Sequence, residues 1–152
     1  YGLQLGQWLK NFEFLLSKRW LTININQVVT PLTLKTMPEL LEKLAEWRRQ
    51  RPVGHHFTGV APGPSYLQLD IFGNKEFDQD VENILNLMPQ DTDEDKITYS
   101  YMEGILRQTS LGEPNRDEIR KLITFLDEKD RRRNTSWSTT FPWIKKYKQY
   151  VV

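Results

Sequence analysis

The chain has 152 residues and a mass of 18.1 kDa, enough for one domain that buries roughly 70% of the surface its unfolded form exposes. Hydrophobic residues make up 38%, and the aromatic set of 5 Trp, 6 Tyr and 7 Phe excludes wholesale disorder. The balance of 21 Lys and Arg against 20 Asp and Glu gives no global field toward nucleic acid or an anionic membrane. Cysteine is absent, which excludes disulfides, thiolate-held zinc, cysteine-ligated clusters and cysteine nucleophiles.

Leu5, Trp8, Leu9, Phe12, Leu15 and Leu16 recur at helical spacing and predict an amphipathic helix over 5–18. Leu21 to Val29 is rich in β-branched residues and predicts a strand that ends at Thr30-Pro31. A second helix is expected after Thr36 as N-cap, with Leu40, Leu41, Leu44 and Trp47 buried and Arg48, Arg49 and Arg51 near its end. From Val53 to Phe72 the chain reads as extended around the turn Pro62-Gly63-Pro64, giving one or two further strands. Strand, helix and strand in this order make a βαβ unit.

Beyond Gly73 the pattern turns helical. Phe77, Val81, Ile84, Leu85 and Met88 form one stripe, and Ile97, Tyr101, Ile105 and Leu106 another. Asn115 caps a helix that buries Ile119, Leu122, Ile123 and Leu126 and ends near Arg133. Asn134-Thr135-Ser136 recaps the chain for a last helix carrying Trp137, Phe141, Trp143, Ile144 and Tyr147. The fold class expected is α/β and helix-dominated: one domain over 1–152, with a small, partly parallel sheet of two or three strands in 1–73 and a helical part in 74–152.

Charge is unevenly placed. Residues 76–95 carry eight acids and no base, and residues 129–152 carry seven bases against one acid. Arg131, Arg132 and Arg133 therefore form a candidate basic patch for an acidic protein or peptide, unless the two regions offset each other or are solvated helix faces. The two histidines, His55 and His56, point to opposite sides of an extended chain and cannot easily share a metal ion. They are expected at a loop surface, and no metal site is expected. Asn24 and Asn26 alternate with Ile23 and Ile25, so both amides leave one face of the strand, to meet either a ligand or solvent. No phosphate loop, nucleophile elbow or paired-histidine metal helix is present.

Ile23 to Val29, followed by Met37-Pro38-Glu39-Leu40-Leu41 and Tyr66-Leu67-Gln68-Leu69, resembles the late strand–helix–strand part of the radical SAM barrel. Leu126-Asp127-Glu128-Lys129-Asp130-Arg131-Arg132-Arg133-Asn134-Thr135-Ser136-Trp137, ending in Phe141-Pro142-Trp143, resembles the tail of radical SAM proteins with a shortened, twitch-type extension, many of them phage or environmental sequences. The resemblance covers the C-terminal part of such an enzyme. It implies that the strand bearing Asn24, Asn26 and Gln27 faces the interior, where S-adenosylmethionine and substrate lie in complete enzymes.

The family's cluster is held by cysteines that this chain lacks. No catalytic residue, and no cofactor bound by the chain alone, is therefore expected; S-adenosylmethionine enters only with an N-terminal part. A start at Tyr1 directly before a helix suggests a piece of a longer protein. The alternative is a noncatalytic interaction module. The enzyme-derived reading requires a polar cavity beside Asn24 and Asn26, and the module is content with a filled core and an exposed basic face. A homodimer or a missing N-terminal subunit is the expected partner, nucleic acid and membrane are not expected, and the location expected is cytoplasmic.

Overall fold

The structure, a computed structural model, describes residues 4–60, 63–73, 75–110 and 112–151, with side chains of 58–60 and 110 left aside. The start at Tyr1-Gly2-Leu3 and the Pro62 part of the expected turn lie outside the described residues. Helix dominates: α1 (Leu5–Leu16), β1 (Asn24–Val29), α2 (Pro31–Leu34), α3 (Met37–Arg48), β2 (Gly54–Val60), α4 (Asp78–Leu87), α5 (Asp93–Leu106), α6 (Arg116–Arg133) and α7 (Trp137–Thr140). Tight 3₁₀ turns occupy Ser65–Leu67, Leu69–Phe72, Arg107–Ser110 and Pro142–Tyr150.

The βαβ expectation holds: β1 and β2 pair in parallel and α3 lies between them in the chain. Register runs from Asn24 opposite Gly54 to Gln27 opposite Phe57, then slips by one residue so that Val28 faces Gly59. Such a bulge sharpens the local twist. The first strand begins at Asn24 rather than Leu21. Arg51 takes the preceding carbonyls, donating from Nη1 to Lys18 (2.7 Å) and Leu16 (3.2 Å) and from Nη2 to Leu21. The guanidinium thus closes the end of α1 and takes the Lys18 and Leu21 carbonyls out of any ladder, while the Ile23 carbonyl already accepts from the Gly54 N–H at 2.9 Å.

No third strand forms at Tyr66–Phe72. Leu69, Ile71 and Phe72 are all buried, and the three-residue turn puts Leu69 and Phe72 on one side. Gly73 follows at φ +45°, and a Cβ there would meet the Gly112 carbonyl oxygen at 2.5 Å. Only glycine permits that approach and that backbone.

The expected last helix also divides. Phe141 sits outside the helical region at φ −124°, ψ 63°, as a residue before proline tends to, so α7 stops at Thr140. Ile144, Tyr147 and Tyr150 then recur every three residues and face the core as a 3₁₀ turn. Asn134 closes α6 in the left-handed region at φ 50°, so it ends the helix and does not start the next.

One continuous core joins the sheet side to the helical half. Phe12 meets Trp47 at 4.3 Å between ring centres, and Phe72 meets Phe77, Trp143 and Tyr147 at 5.8, 4.9 and 4.8 Å. Leu41, Leu44, Val81, Ile84, Ile119, Leu122, Ile123 and Leu126 are buried as their spacing predicts. In α5 the stripe is rotated: Ile97 and Tyr101 are exposed, while Asp95, Met102 and Leu106 are buried. In α1 only Phe12 and Leu16 are buried; Leu5, Trp8 and Leu15 stay exposed. Among the described residues, no helix is long and apolar enough to cross a membrane.

Candidate functional site

In a parallel pair, residues in register share a face. Asn24 with Gly54 and Asn26 with His56 make one face of the sheet. Asn24, Asn26 and Val28 are exposed there, and His56 is half-buried. Ile25 with His55 and Gln27 with Phe57 make the other face, which the core covers. The structure therefore places Asn24 and Asn26 together on an open polar face, as their alternation predicts, and sets Gln27 on the opposite side.

Gly54 shapes the open face. The Asn24 carboxamide lies over it, within the space a Cβ would fill, and His56 Nε2 is 3.4 Å from that Cβ position. Because the obstructing atom is the end of a movable side chain, Gly54→Ala is expected to lower the melting temperature only slightly while swinging Asn24 off the face. A large shift of the Asn24 side-chain amide resonance with nearly unchanged stability checks this; a severe loss of stability contradicts it.

The covered face holds a polar pair. His55 is only 3% exposed, and its Nε2 lies 2.9 Å from Gln27 Oε1. Burial pushes its pKa down to about 4, with the Arg48 charge adding to the effect. The expected loop surface is thus replaced by a strand, which buries one histidine and half-exposes the other. Beside it Arg48 clasps Asp95 through two hydrogen bonds, Nη1 to Oδ2 at 3.0 Å and Nη2 to Oδ1 at 2.9 Å, while Nε donates to the Val53 carbonyl at 2.8 Å. Asp95 also closes a capping box with Thr92. Burial alone would raise the Asp95 carboxyl, but hydrogen bonds from Arg48 and Thr92 outweigh it and hold the pKa below its ordinary value. A cavity of about 420 Å³ with a mixed lining opens at the strand starts beside these groups and includes Asn24 in its wall, though not Asn26.

The unequal charges are largely matched. Glu76 pairs with Lys146 (2.5 Å) and accepts from the Tyr147 hydroxyl (2.6 Å); Asp80 pairs with Lys35 (2.7 Å) and Glu82 with Arg107 (3.0 Å). Lys146 is the contribution of the basic tail. Burial, and then the carboxylate of Glu76, raise the Tyr147 hydroxyl well above the usual phenol range. Arg131 and Arg132 both turn onto Glu128, at 2.7 and 2.6 Å, and all three arginines 131–133 are exposed. Two adjacent guanidinium groups hold the Glu128 carboxyl down to about 2. Exposed pairs at this spacing add little stability. Replacing Arg131 and Arg132 by alanine is expected to leave the thermal midpoint within error; a clear drop in a melt would contradict that.

The tail from Leu126 to Trp143 has a structural use that spacing does not reveal. Asp127 Oδ1 accepts from the Trp137 indole at 2.6 Å, and Asp130 accepts from the Trp137 backbone N–H at 2.7 Å and the Thr135 hydroxyl at 2.8 Å. Both aspartates reach these partners only because the chain turns back at Asn134. Among the described residues, no group of three or more His, Asp or Glu is placed to hold a metal ion. No family model matches the sequence, and no curated protein or solved structure is significantly similar to it.

Proposed function

We propose that this chain supplies one wall of a binding site that further strands complete, as the C-terminal segment of a radical SAM-like protein, and that it is not catalytic by itself. The observation that carries the reading is the parallel β1/β2 pair, covered on one face and open on the other, where Asn24, Asn26 and His56 present hydrogen-bonding groups. A two-stranded sheet is marginal alone and both outer edges invite pairing. Carboxamides and an imidazole suit the hydroxyls, amines and carboxylate of a nucleoside or amino-acid ligand such as S-adenosylmethionine. With no cysteine, the chain cannot hold an iron–sulfur cluster through thiolates, so cofactor cleavage requires another segment.

The test is the open reading frame upstream of the Tyr1 codon. The expected result is a continuous frame with closely spaced cysteines, whose full product binds an iron–sulfur cluster and S-adenosylmethionine and loses affinity for the latter when Asn24 and Asn26 become alanine. A start codon at or near Tyr1, or a full product that binds neither, overturns the reading. The noncatalytic module that engages an acidic protein or a second copy through Arg131–Arg133 then takes its place, and triple alanine substitution at those positions must abolish association.

A further inference from the structure

The apolar surface of α1 is only partly covered. Among the described residues, half of the large hydrophobic side chains left exposed lie within 5–20: Leu5, Trp8, Phe14, Leu15 and Trp20. Apolar surface concentrated in this way marks an interaction site more often than scattered exposure does. Trp8 and Leu15 stand seven residues apart, two helical turns, and share one flank of α1. Trp8 is fixed on that flank by its stack on Phe12 at 5.2 Å and its contact with Trp47 at 6.1 Å between ring centres.

A groove of about 560 Å³ runs between the first half of α1 and α3. Leu5, Trp8 and Leu9 line it from α1, and Leu40, Lys43 and Trp47 from α3. Its border is acidic: Glu39, Glu42 and Glu46 stand against Lys43 alone, and Glu46 already engages that lysine at 2.7 Å. Among the described residues Glu39 and Glu42 have no ion-pair partner. The other end of α1 has the opposite sign. Lys18 and Arg19 follow it directly and also lack an acidic partner among the described residues, with Lys18 Nζ 4.3 Å from the Phe14 ring centre. Twelve helical residues set the two ends about 18 Å apart.

A surface with an apolar stripe in its middle and opposite charges at its ends is complementary to itself turned end for end. We propose that the chain forms a two-fold dimer through antiparallel α1 helices, in which each copy seats the end of its α1 in the groove between α1 and α3 of the other. Lys18 and Arg19 of each copy meet Glu39 and Glu42 of the other, and Trp8 of each lies beside Leu15 of the other. Trp20, 81% exposed, is the aromatic anchor for the groove, the residue type that carries most energy at interfaces. A parallel arrangement sets acid against acid and base against base, which costs affinity. The dimer does not depend on what the open face of the sheet binds.

Sedimentation velocity of the full chain, from low micromolar to submillimolar concentration, tests this. The mass is expected to rise from 18.1 kDa toward twice that value. Trp20→Ala, the reversal Glu39→Lys with Glu42→Lys, and the reversal Lys18→Glu with Arg19→Glu all change surface side chains. Each is expected to keep the melting temperature of the monomer while weakening association at least about tenfold. An equimolar mixture of the two reversed variants is expected to regain association, because opposite charges again meet across the two-fold axis. A chain that stays monomeric throughout overturns the proposal and leaves the groove to a different protein or to none. A dimer that survives all three variants uses another face and also overturns it. A mixture that associates no better than its components overturns the charge pairing, and with it the antiparallel dimer.

Discussion

Trp137→Ala is expected to destabilise the protein by about 3–5 kcal/mol, the range for removing a large aromatic side chain from a packed interior. Trp137 is 2% exposed, begins α7, and is held from three sides: the indole N–H on Asp127, the backbone N–H on Asp130, and the Lys148 ammonium 5.0 Å from the ring centre. Losing it empties the space between the end of α6 and the returning tail. Trp137→Phe separates the contributions. It keeps much of the ring but leaves the exposed Asp127 carboxylate to water, so the loss expected is only about 1–2 kcal/mol. Urea unfolding of the two variants checks the order. Equal losses would mean that the hydrogen bond, not the packing, secures the tail, and negligible loss in the alanine variant would mean that the tail is not docked on α6.

Trp137 also marks the limit of what the sequence shows. Its burial is readable, because an aromatic in a helically spaced apolar set belongs in a core. Its partners are not, since Asp127 and Asp130 look like any charged positions on an exposed helix until Asn134 adopts the left-handed turn that brings the chain back. The stripes of α3, α4 and α6 are legible because each repeats every three or four residues for at least two turns. The first strand is legible because its β-branched run stops at Thr30-Pro31 before a helix that opens on Met37-Pro38, whereas the second, with only Thr58 and Val60 β-branched, reads no further than extended. Tyr66–Phe72 misleads for the complementary reason: a short apolar run fits a strand or a buried turn equally, and periodicity cannot choose over so few residues.

In the site, alternation alone sets Asn24 and Asn26 on one face, and the same alternation sets Gln27 on the other. An expected interior-facing site at Asn24, Asn26 and Gln27 groups all three, and the pleat separates them. Pro52 and Gly54 make the sequence around His55 look like a loop, yet neither interrupts the strand, with Gly54 its first residue. Asp95 lies hidden inside an acidic run. Its signal is Thr92 three residues earlier, the spacing of a capping box, and nothing in the sequence joins that box to Arg48 some 47 positions away.

That join leads to the second large effect. Asp95→Ala is expected to cost about 3–5 kcal/mol, because it strands the mostly buried Arg48 guanidinium without its counter-charge, and it also opens the cap of α5. The Asp95 side chain is 4% exposed and that of Arg48 20%. Stability should further depend on pH in two windows. The His55 pKa falls from 6.5 to about 4 on folding; between those values the unfolded chain takes up a proton that the folded chain refuses, so stability is full above the upper value and declines as pH drops. The groups facing His55 are Arg48 from α3, Asp95 from α5 and its strand neighbour His56. A shift of this size corresponds to about 3 kcal/mol once the window is crossed. Asp95 acts lower down: its carboxyl is depressed from 3.8, so its contribution is present above that value and is lost as pH falls through the folded one. Urea midpoints measured at pH 7, 5.5 and 4.5 should therefore fall steadily in the wild type. In His55→Gln the decline over the same range should largely vanish, while Asp95→Ala should be less stable throughout. A wild-type midpoint that stays constant from pH 7 to 4.5 would show that His55 is not held neutral in the folded chain, and a small loss in Asp95→Ala would show that the clasp between α3 and α5 does not carry the sheet end.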